Sequence, residues 1–173
     1  MALLYPTLYR RRITDVTVED LRALGAQGIL LDVDNTLTTH DAPDLTEEVK
    51  AWLETMKTAG FSMIIVSNNK AVRVAPFAEK IGLPFHALAH KPLATGFLAA
   101  AEQLGIPSSA CVAIGDQIFT DILGANLSEM PCILLEPIQP EVEQKFIVFK
   151  RKIERVLLNT RRQRKKKEAD YGG

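Results

Sequence analysis

Acidic side chains stand directly after two apolar runs that are typical of buried strands. Asp32 and Asp34 follow the run GILL, and Asp116 and Asp121 follow the run ACVAI. Residues two apart in an extended segment point the same way, so Asp32 and Asp34 would repel each other unless a cation or a proton lay between them. Asp116 and Asp121 add hard oxygen ligands of the kind that Mg²⁺ prefers. The sequence therefore predicts cation-binding carboxylates at the ends of two strands.

Two further polar clusters could hold a phosphoryl group. Ser67 and Asn68 follow the apolar run FSMIIV, and a hydroxyl with backbone N–H groups at a helix start forms a phosphate cradle. Lys91 stands before Pro92 at another predicted helix start, and it offers a positive charge for an anion. Each cluster alone has an ordinary alternative, an Asx turn for the first and solvated surface for the second. The order of the four clusters favours a single site.

The elements that must position these residues alternate along the chain. The pattern predicts strands over 28–33, 61–66, 85–89, 110–114 and 132–135, and helices over 44–59, 70–81, 92–104 and 118–127. Apolar strands separated by helices indicate a parallel sheet covered on both faces, with right-handed crossovers. We therefore expect a three-layer α/β/α sandwich with a Rossmann-like parallel sheet of about five strands. Ligands bind at the carboxyl ends of such strands, where the four clusters would meet.

The chain divides by composition into three parts. Residues 1–28 predict a lead-in segment with one short helix capped by Thr17, and residues 29–136 hold the alternating core. Residues 137–173 predict a basic amphipathic helix that runs into the cationic sequence RRQRKKK. The net charge of zero hides a split, because residues 1–144 carry −8 and residues 145–173 carry +8.

The basic segment 145–173 leaves three interpretations open. A basic amphipathic helix can lie on an anionic membrane surface. Lysine and arginine bind the phosphates of nucleic acids equally well, so RNA or a ribosome is a competing polyanion. Alternatively, the apolar stripe of the helix packs on the domain and its charges are a solvated face.

The overall composition is that of an ordinary globular protein. Apolar residues make up 47% and charged residues 24% of the chain. No apolar run approaches the ~20 residues of a membrane-spanning helix, so we expect no transmembrane span. Cys111 and Cys132 stand beside strand-like runs and are expected to be buried thiols in a reducing cytoplasm. We expect a cytoplasmic protein, peripheral at the inner membrane face if the basic segment binds lipid.

The four clusters together resemble the four motifs of the haloacid dehalogenase (HAD) phosphatases. DVDNTLT resembles the nucleophile motif, the Ser67 segment the second, Lys91 the third and GDQIFTD the acidic fourth, and the resemblance covers residues 29–136. Finer features, SNNK with Arg73, HKP and GDQIFTDILGAN, resemble the YqeG subfamily and the phosphatidylglycerophosphate phosphatases related to it. The resemblance implies a phosphomonoester phosphatase that uses Mg²⁺.

The resemblance also implies a role for each acidic motif residue. Asp32 would be the nucleophile that forms an aspartyl-phosphate, and Asp34 would protonate the leaving alkoxide and then activate water. Asp32, the backbone carbonyl of Asp34 and Asp116 would hold Mg²⁺. Asp121 would orient Lys91 or a metal-bound water, and Thr36 would support the nucleophile motif.

The remaining motif residues would bind the transferring phosphoryl group. Ser67 and the N–H group of Asn68 would hold one of its oxygens, and Lys91 would stabilise its charge. His40 follows the nucleophile motif, and the sequence assigns it no role.

The spacing of the motifs leaves no room for a cap domain. Segments 38–61 and 69–91 each hold one helix and little else, so we expect the uncapped (class III) type. An open site suits a large or surface-bound phosphate ester, and phosphatidylglycerophosphate is the substrate we expect. A phosphatase or phosphotransferase for a soluble metabolite is the alternative, with a partner subunit closing the site. A third alternative is a polyanion-binding protein on the same scaffold.

Overall fold

Six parallel strands form the sheet in this computed structural model, which describes residues 3–39 and 44–139. The order across the sheet is β1-β6-β5-β2-β3-β4. This arrangement confirms the parallel α/β sheet predicted from the alternating runs. The strands are β1 (Leu8–Arg10), β2 (Gly28–Leu31), β3 (Ser62–Val66), β4 (Phe85–His86), β5 (Cys111–Gly115) and β6 (Cys132–Leu135).

The strand order reverses at β2. The chain runs outward from β2 to β3 and β4, and it then returns to β5 on the opposite side of β2. Leu31 is therefore in register with Ile65 on one side and with Ile114 on the other. A reversal of this kind opens a crevice at the carboxyl ends of the two strands, and Asp32 is the first residue beyond β2.

Five α-helices are described: α1 (Val18–Ala23), α2 (Glu47–Thr58), α3 (Ala71–Ile81), α4 (Ala94–Leu104) and α5 (Leu123–Leu127). The helix predicted from Pro92 begins two residues later, at Ala94. The helix predicted over 118–127 consists of a π-helical turn, Ile118–Ile122, followed by α5. Gly82 and Gly105 end α3 and α4 in the left-handed conformation, as glycine commonly does.

The two faces of the sheet are covered by different helices. On one face, buried side chains of α1 and α2, such as Leu21, Trp52 and Met56, pack against Ile29 and Leu31 of β2. The indole Nε1 of Trp52 donates to the carbonyl of Val16 at 2.7 Å, so its polar atom is satisfied inside the core. On the other face α4 packs against β2 and β3 and also against α5.

The lead-in segment supplies the edge strand that the sequence pattern did not predict. β1 pairs with β6 in parallel register, with Leu8 opposite Ile133. Its three residues are only half-buried, so LYR lacks the apolar run by which the other strands were recognised. Thr17 caps α1 as predicted, since its side chain accepts from the N–H of Asp20 at 3.1 Å.

Of the remaining predictions, some are confirmed and others concern residues outside the described part of the chain. Cys111 and Cys132 are buried free thiols, as expected. Within residues 3–39 and 44–139, no helix combines the length and apolar character needed to cross a membrane. The amphipathic helix and basic tail predicted after residue 140 lie outside the described residues, as does His40. The boundaries at 28 and 136 stay predictions.

Candidate active site

The structure gathers the predicted site residues at one edge of the sheet. Asp32 follows β2, Ser67 follows β3, Lys91 lies in the loop after β4, and Asp116 follows β5. Only 3% of Ser67, 8% of Lys91 and 2% of Asp116 is exposed. These polar groups are therefore buried in the crevice where the strand order reverses.

Lys91 lies between two carboxylates. Its ammonium nitrogen Nζ is 2.6 Å from Oδ1 of Asp32 and 2.7 Å from Oδ1 of Asp121. The second oxygen of Asp121, Oδ2, accepts from the backbone N–H of Gln117 at 3.0 Å. Both oxygens of Asp121 are thus engaged by residues that fix its orientation, while Asp32 faces the crevice with Lys91 at its side.

Burial and ion pairing have opposite effects on the pKa values of Asp32 and Lys91. Burial raises the pKa of Asp32 to about 7, against the lowering effect of the Lys91 charge, and the nearby charges of Asp121 and Asp34 add to the rise. Burial alone would lower the pKa of Lys91, but the carboxylates of Asp121 and Asp32 outweigh it and hold that pKa above its usual value. Lys91 therefore stays protonated, and it stabilises negative charge beside it.

Two glycines allow the close approaches on which this group depends. A Cβ atom at Gly115 would lie 2.4 Å from Cγ of Asp121, so only glycine lets that carboxylate lie over the end of β5. A Cβ atom at Gly96 would lie 2.1 Å from the carbonyl oxygen of Ala89, in the loop that carries Lys91. Both positions show why the sequence has glycine at the border of the site.

Asn68 holds the Lys91 loop in place with its side chain. The backbone N–H of Lys91 donates to Oδ1 of Asn68 at 2.6 Å, and Nδ2 of Asn68 donates to the carbonyl of Lys91 at 3.1 Å. The sequence predicts a role only for the backbone N–H of Asn68. The double contact links the end of β3 to the loop after β4, so it fixes the backbone from which Lys91 reaches Asp32.

Asp34 lies in a more open environment than Asp32. Its Oδ2 accepts from Nδ2 of Asn69 at 2.9 Å, and its Oδ1 is 3.5 Å from a guanidinium nitrogen of Arg73. The Asp34 side chain is 30% exposed and that of Arg73 is 46% exposed. Sequence reasoning missed both partners, because the contacts join a turn after β2 to the residues around the start of α3.

A tight turn follows Asp32 and presents Asp34. Asn35 adopts a φ of 63°, and its N–H donates to the carbonyl of Thr38 at 2.7 Å. Asparagine tolerates this left-handed conformation better than most residues. Thr36 is 2% exposed, and within the described part of the chain its hydroxyl Oγ1 has no hydrogen-bond partner.

The acidic residues form a group that could hold a metal ion. Asp32, Asp116 and Asp121 each offer one carboxylate oxygen, and these oxygens lie within 4.8 Å of one another. Hard oxygen ligands of this kind fit a divalent cation such as Mg²⁺. Both oxygens of Asp121 already accept hydrogen bonds, whereas Asp32 is bound to Lys91 through Oδ1 alone. The carboxylate of Asp34 is not part of this group.

Comparisons of sequence agree with one another. The haloacid dehalogenase-like hydrolase family matches residues 7–128. Probable phosphatase YqeG of Bacillus subtilis (strain 168) is 37% identical over 155 residues, a match that spans 89% of each protein. Phosphatidylglycerophosphate phosphatase 1 of the Chlamydomonas reinhardtii chloroplast is 25% identical over an alignment of 162 positions, and the match covers 88% of this chain and 60% of the algal protein.

Solved structures share the fold. An uncharacterized protein from Listeria monocytogenes serotype 4b superimposes with a TM-score of 0.55 and 21% identity, over 68% of this chain and 85% of that one. The cobalt-bound deoxy-D-mannose-octulosonate 8-phosphate phosphatase YrbI of Haemophilus influenzae superimposes with a TM-score of 0.52 and 14% identity, over 65% and 69%. At these identities the likeness concerns the fold alone.

Proposed function

We propose that this chain, which belongs to the haloacid dehalogenase-like hydrolases and is a phosphatase of that family, hydrolyses phosphomonoesters. The reaction would proceed through an aspartyl-phosphate on Asp32. The observation that carries the proposal is the contact of 2.6 Å between Lys91 Nζ and Asp32 Oδ1 in the crevice beside β2. A buried carboxylate beside a fixed cation suits attack on an anionic phosphate, because the cation offsets the repulsion between the two.

The reaction would proceed in two displacements. In the first, a carboxylate oxygen of Asp32 attacks phosphorus, the bond from phosphorus to the ester oxygen breaks, and Asp34 gives its proton to the leaving alkoxide. In the second, Asp34 takes a proton from water, which attacks phosphorus, releases inorganic phosphate and restores Asp32. The half-exposed position of Asp34 suits a group that must exchange protons with both the alcohol and water.

The phosphoryl group would be held by donors around the crevice. Ser67 and the backbone N–H of Asn68 would bind one of its oxygens, and among the described residues that N–H makes no hydrogen bond. Lys91 would stabilise the charge of the transferring group. Asp121 would act as a positioning residue, since it fixes Lys91 at 2.7 Å and is itself fixed by Gln117 at 3.0 Å.

Asp32, Asp116 and the backbone carbonyl of Asp34 would hold Mg²⁺, which neutralises charge between nucleophile and phosphate when bound. The acidic group supports this part of the proposal, because three carboxylate oxygens lie within 4.8 Å of one another. Lys91 alone leaves this group with an excess of negative charge, and a divalent cation would balance it.

The test is the hydrolysis of an aryl phosphate by the full chain with Mg²⁺ or with EDTA. Asp32→Asn should abolish turnover and the acid-stable mass increase of a trapped phosphoenzyme, because the amide cannot attack phosphorus. Glu102→Gln is the matched control, since Glu102 lies on α4 near the helix end remote from the crevice. Turnover by Asp32→Asn at the wild-type rate would overturn the proposal, and full activity in EDTA would overturn its metal part.

A lipid-borne phosphomonoester is the substrate class that we favour. Four large apolar side chains are exposed at the edge that carries the site: Val72 at 81%, Leu88 at 48%, Leu93 at 58% and Ile138 at 49%. The exposed cations Lys70 and Arg73 lie beside Val72 at the start of α3. Apolar and cationic side chains around an open site suit contact with an anionic lipid surface. The names of the algal and plant relatives support the same class.

Vesicle assays separate the lipid proposal from its alternatives. With phosphatidylglycerophosphate in anionic vesicles, the variant Val72→Ser with Leu93→Ser should lose activity, whereas Leu127→Ser should not, because Leu127 lies at the far end of α5. Deletion of residues 145–173 tests whether the basic segment helps membrane binding. If the enzyme prefers a soluble phosphate ester to this lipid, the lipid proposal is rejected and only the phosphatase class is kept. RNA binding that survives Asp32→Asn would favour the polyanion-binding alternative.

A further inference from the structure

A cavity of about 420 Å³ lies at the same edge of the sheet, outside the Asp32–Lys91 group. Its walls come from the loops that follow β1, β2 and β6, together with the start of α2. Sequence reasoning missed it because it did not predict β1, the strand that places Arg11 and Arg12. The volume falls within the range of roughly 300–1,000 Å³ that is usual for small-molecule sites.

The cavity adjoins the proposed phosphoryl site through a shared wall. The turn that begins at Asp32 and presents Asp34 continues into Thr36–Thr39, which line the cavity. The segment after β6 closes on the same turn, because the N–H of Ile138 donates to the carbonyl of Asn35 at 3.1 Å. The proposed phosphoryl site and the cavity therefore share this turn.

Among the described residues, one arginine that lines the cavity, Arg12, has no ion-pair partner. The guanidinium of Arg12 is exposed, and no described residue forms an ion pair with it. Among the described residues of the cavity, two carboxylates are already engaged: Asp44 binds Lys80, and Glu136 accepts from the Tyr9 hydroxyl at 2.6 Å. The third, Glu48, can accept hydrogen bonds from ligand hydroxyls.

We infer that this cavity binds the alcohol part of the substrate, and that Arg12 selects an alcohol that carries a second anionic group. The inference rests on the proposed function and narrows its substrate class to phosphomonoesters with a second phosphate, phosphodiester or carboxylate. Both a soluble bisphosphate and a lipid headgroup present this chemistry. Arg12 is a specificity residue here, because it lines the cavity and lies outside the Asp32–Lys91 group.

The experiment compares diol bisphosphates of increasing chain length with the matched diol monophosphates, using the full chain. The measured quantity is the ratio of kcat/KM for bisphosphate over monophosphate at each length. Wild-type protein should prefer the bisphosphate at one or more lengths, and Arg12→Gln should lower that ratio about tenfold or more, as expected for a lost charge-assisted hydrogen bond. Arg22→Gln, which alters an exposed arginine of α1, should keep the wild-type ratio.

A second arm distinguishes the two sources of the ligand. Phosphatidylglycerophosphate in mixed micelles, where the contribution of a bilayer surface is removed, should show the same Arg12 dependence if the headgroup enters the cavity. If only the soluble bisphosphates show this dependence on Arg12, the cavity binds soluble bisphosphates and not the lipid headgroup.

Two outcomes would overturn the inference while leaving the phosphatase intact. One is a wild-type ratio near unity at every chain length and no lipid preference. The other is an Arg12→Gln variant that keeps the wild-type preference. Aryl phosphate turnover that survives Asp32→Asn would instead overturn the proposed function itself.

Discussion

Two charged groups lie at the same edge of the sheet, and they differ in their access to water. In the buried group, Lys91 binds Asp32 and Asp121, and the side chains of Lys91 and Asp121 are 5% and 4% exposed. In the open group, Asp34 binds Arg73, and these side chains are 30% and 46% exposed. Both groups pair a carboxylate with a cation, so exposure is the main physical difference between them.

The difference shows how one edge can serve two kinds of chemistry. A buried charge is strongly unfavourable without its partner, so Lys91, Asp32 and Asp121 hold one another at short distances. An exposed pair is worth only about 0–1 kcal/mol and can open readily. The buried group therefore suits the fixed charge needed for phosphoryl transfer, and the open group suits a carboxyl that trades protons with alcohol and water.

Removal of the Lys91 charge should have the largest effect. Lys91→Met leaves two carboxylates buried without their cation, so we expect the free energy of unfolding to fall by about 3–5 kcal/mol and activity to fall by more than about 10³-fold. Denaturant unfolding and steady-state kinetics measure the two effects.

A double variant separates stability from chemistry in this group. Asp121→Asn added to Lys91→Met removes one negative charge but keeps an oxygen for the Gln117 N–H, so part of the lost stability should return without activity. A single Lys91→Met variant as stable as wild type would show that the buried group is not electrostatically coupled.

A substitution in the open group should lower activity and leave stability nearly unchanged. Asp34→Asn keeps an oxygen that can accept from Asn69, and the site is half-exposed, so the free energy of unfolding should change by less than about 1 kcal/mol. Turnover should fall about 10²–10⁴-fold because Asp34 is the proposed acid and base.

An aryl phosphate tests the step at which Asp34 acts. With this good leaving group, attack by Asp32 needs little help from an acid, so phosphoenzyme should accumulate in Asp34→Asn and mass spectrometry should locate it on Asp32. Phosphate found on Ser67 would contradict the proposed roles of nucleophile and cradle.

A change of one methyl group at Gly115 should disturb the buried group without altering its charges. The new Cβ would lie 2.4 Å from Cγ of Asp121, so that carboxylate must move and Lys91 with it. A misplacement of about 1 Å can cost about 10²-fold in rate, and we expect a loss of roughly that size for Gly115→Ala.

The control for Gly115 is a glycine with no neighbour near its missing side chain. Gly82→Ala places a Cβ in open space but at a φ of +66°, so it should lower stability by about 1 kcal/mol and leave turnover unchanged. Equal losses of activity in the two variants would indicate a general effect on folding.

The central strands could be predicted from sequence because they are buried on both faces. β2, β5 and β6 are short apolar runs in which every residue is buried, and β3 is apolar and buried from Met63 onward. β1 could not be predicted in this way, because an edge strand of three half-buried residues depends on pairing with β6 rather than on its own pattern. The cavity beside it was missed for the same reason.

The site also has residues whose position could be predicted from the sequence and contacts that could not. Positions directly after strands, such as Asp32, Ser67 and Asp116, could be placed at one edge by topology alone. The contact of Asn69 with Asp34 joins residues 35 apart, and that of Asn68 with Lys91 joins residues 23 apart. No local pattern records such contacts, since they depend on how loops from neighbouring strands meet. The π-helical turn that carries Asp121 likewise departs from the regular helical period assumed for 118–127.

The smallest expected effect concerns an ion pair outside the site, which tests whether intermediate exposure gives intermediate strength. Arg10 donates through Nε to Asp20 Oδ2 at 2.9 Å, and the two side chains are 31% and 15% exposed. The hydrogen bond from Arg10 lowers the pKa of Asp20 below its ordinary value of 3.8, against some desolvation. Because the folded-state pKa is depressed, the stabilisation is present above pH 3.8 and is lost as the pH falls through the folded-state value. Arg10→Gln should therefore lower the free energy of unfolding by about 1 kcal/mol at neutral pH, with unchanged turnover. The deficit relative to wild type should shrink in denaturant titrations below pH 3.8, whereas a deficit that is the same at every pH would assign the loss to packing of the Arg10 side chain rather than to its charge.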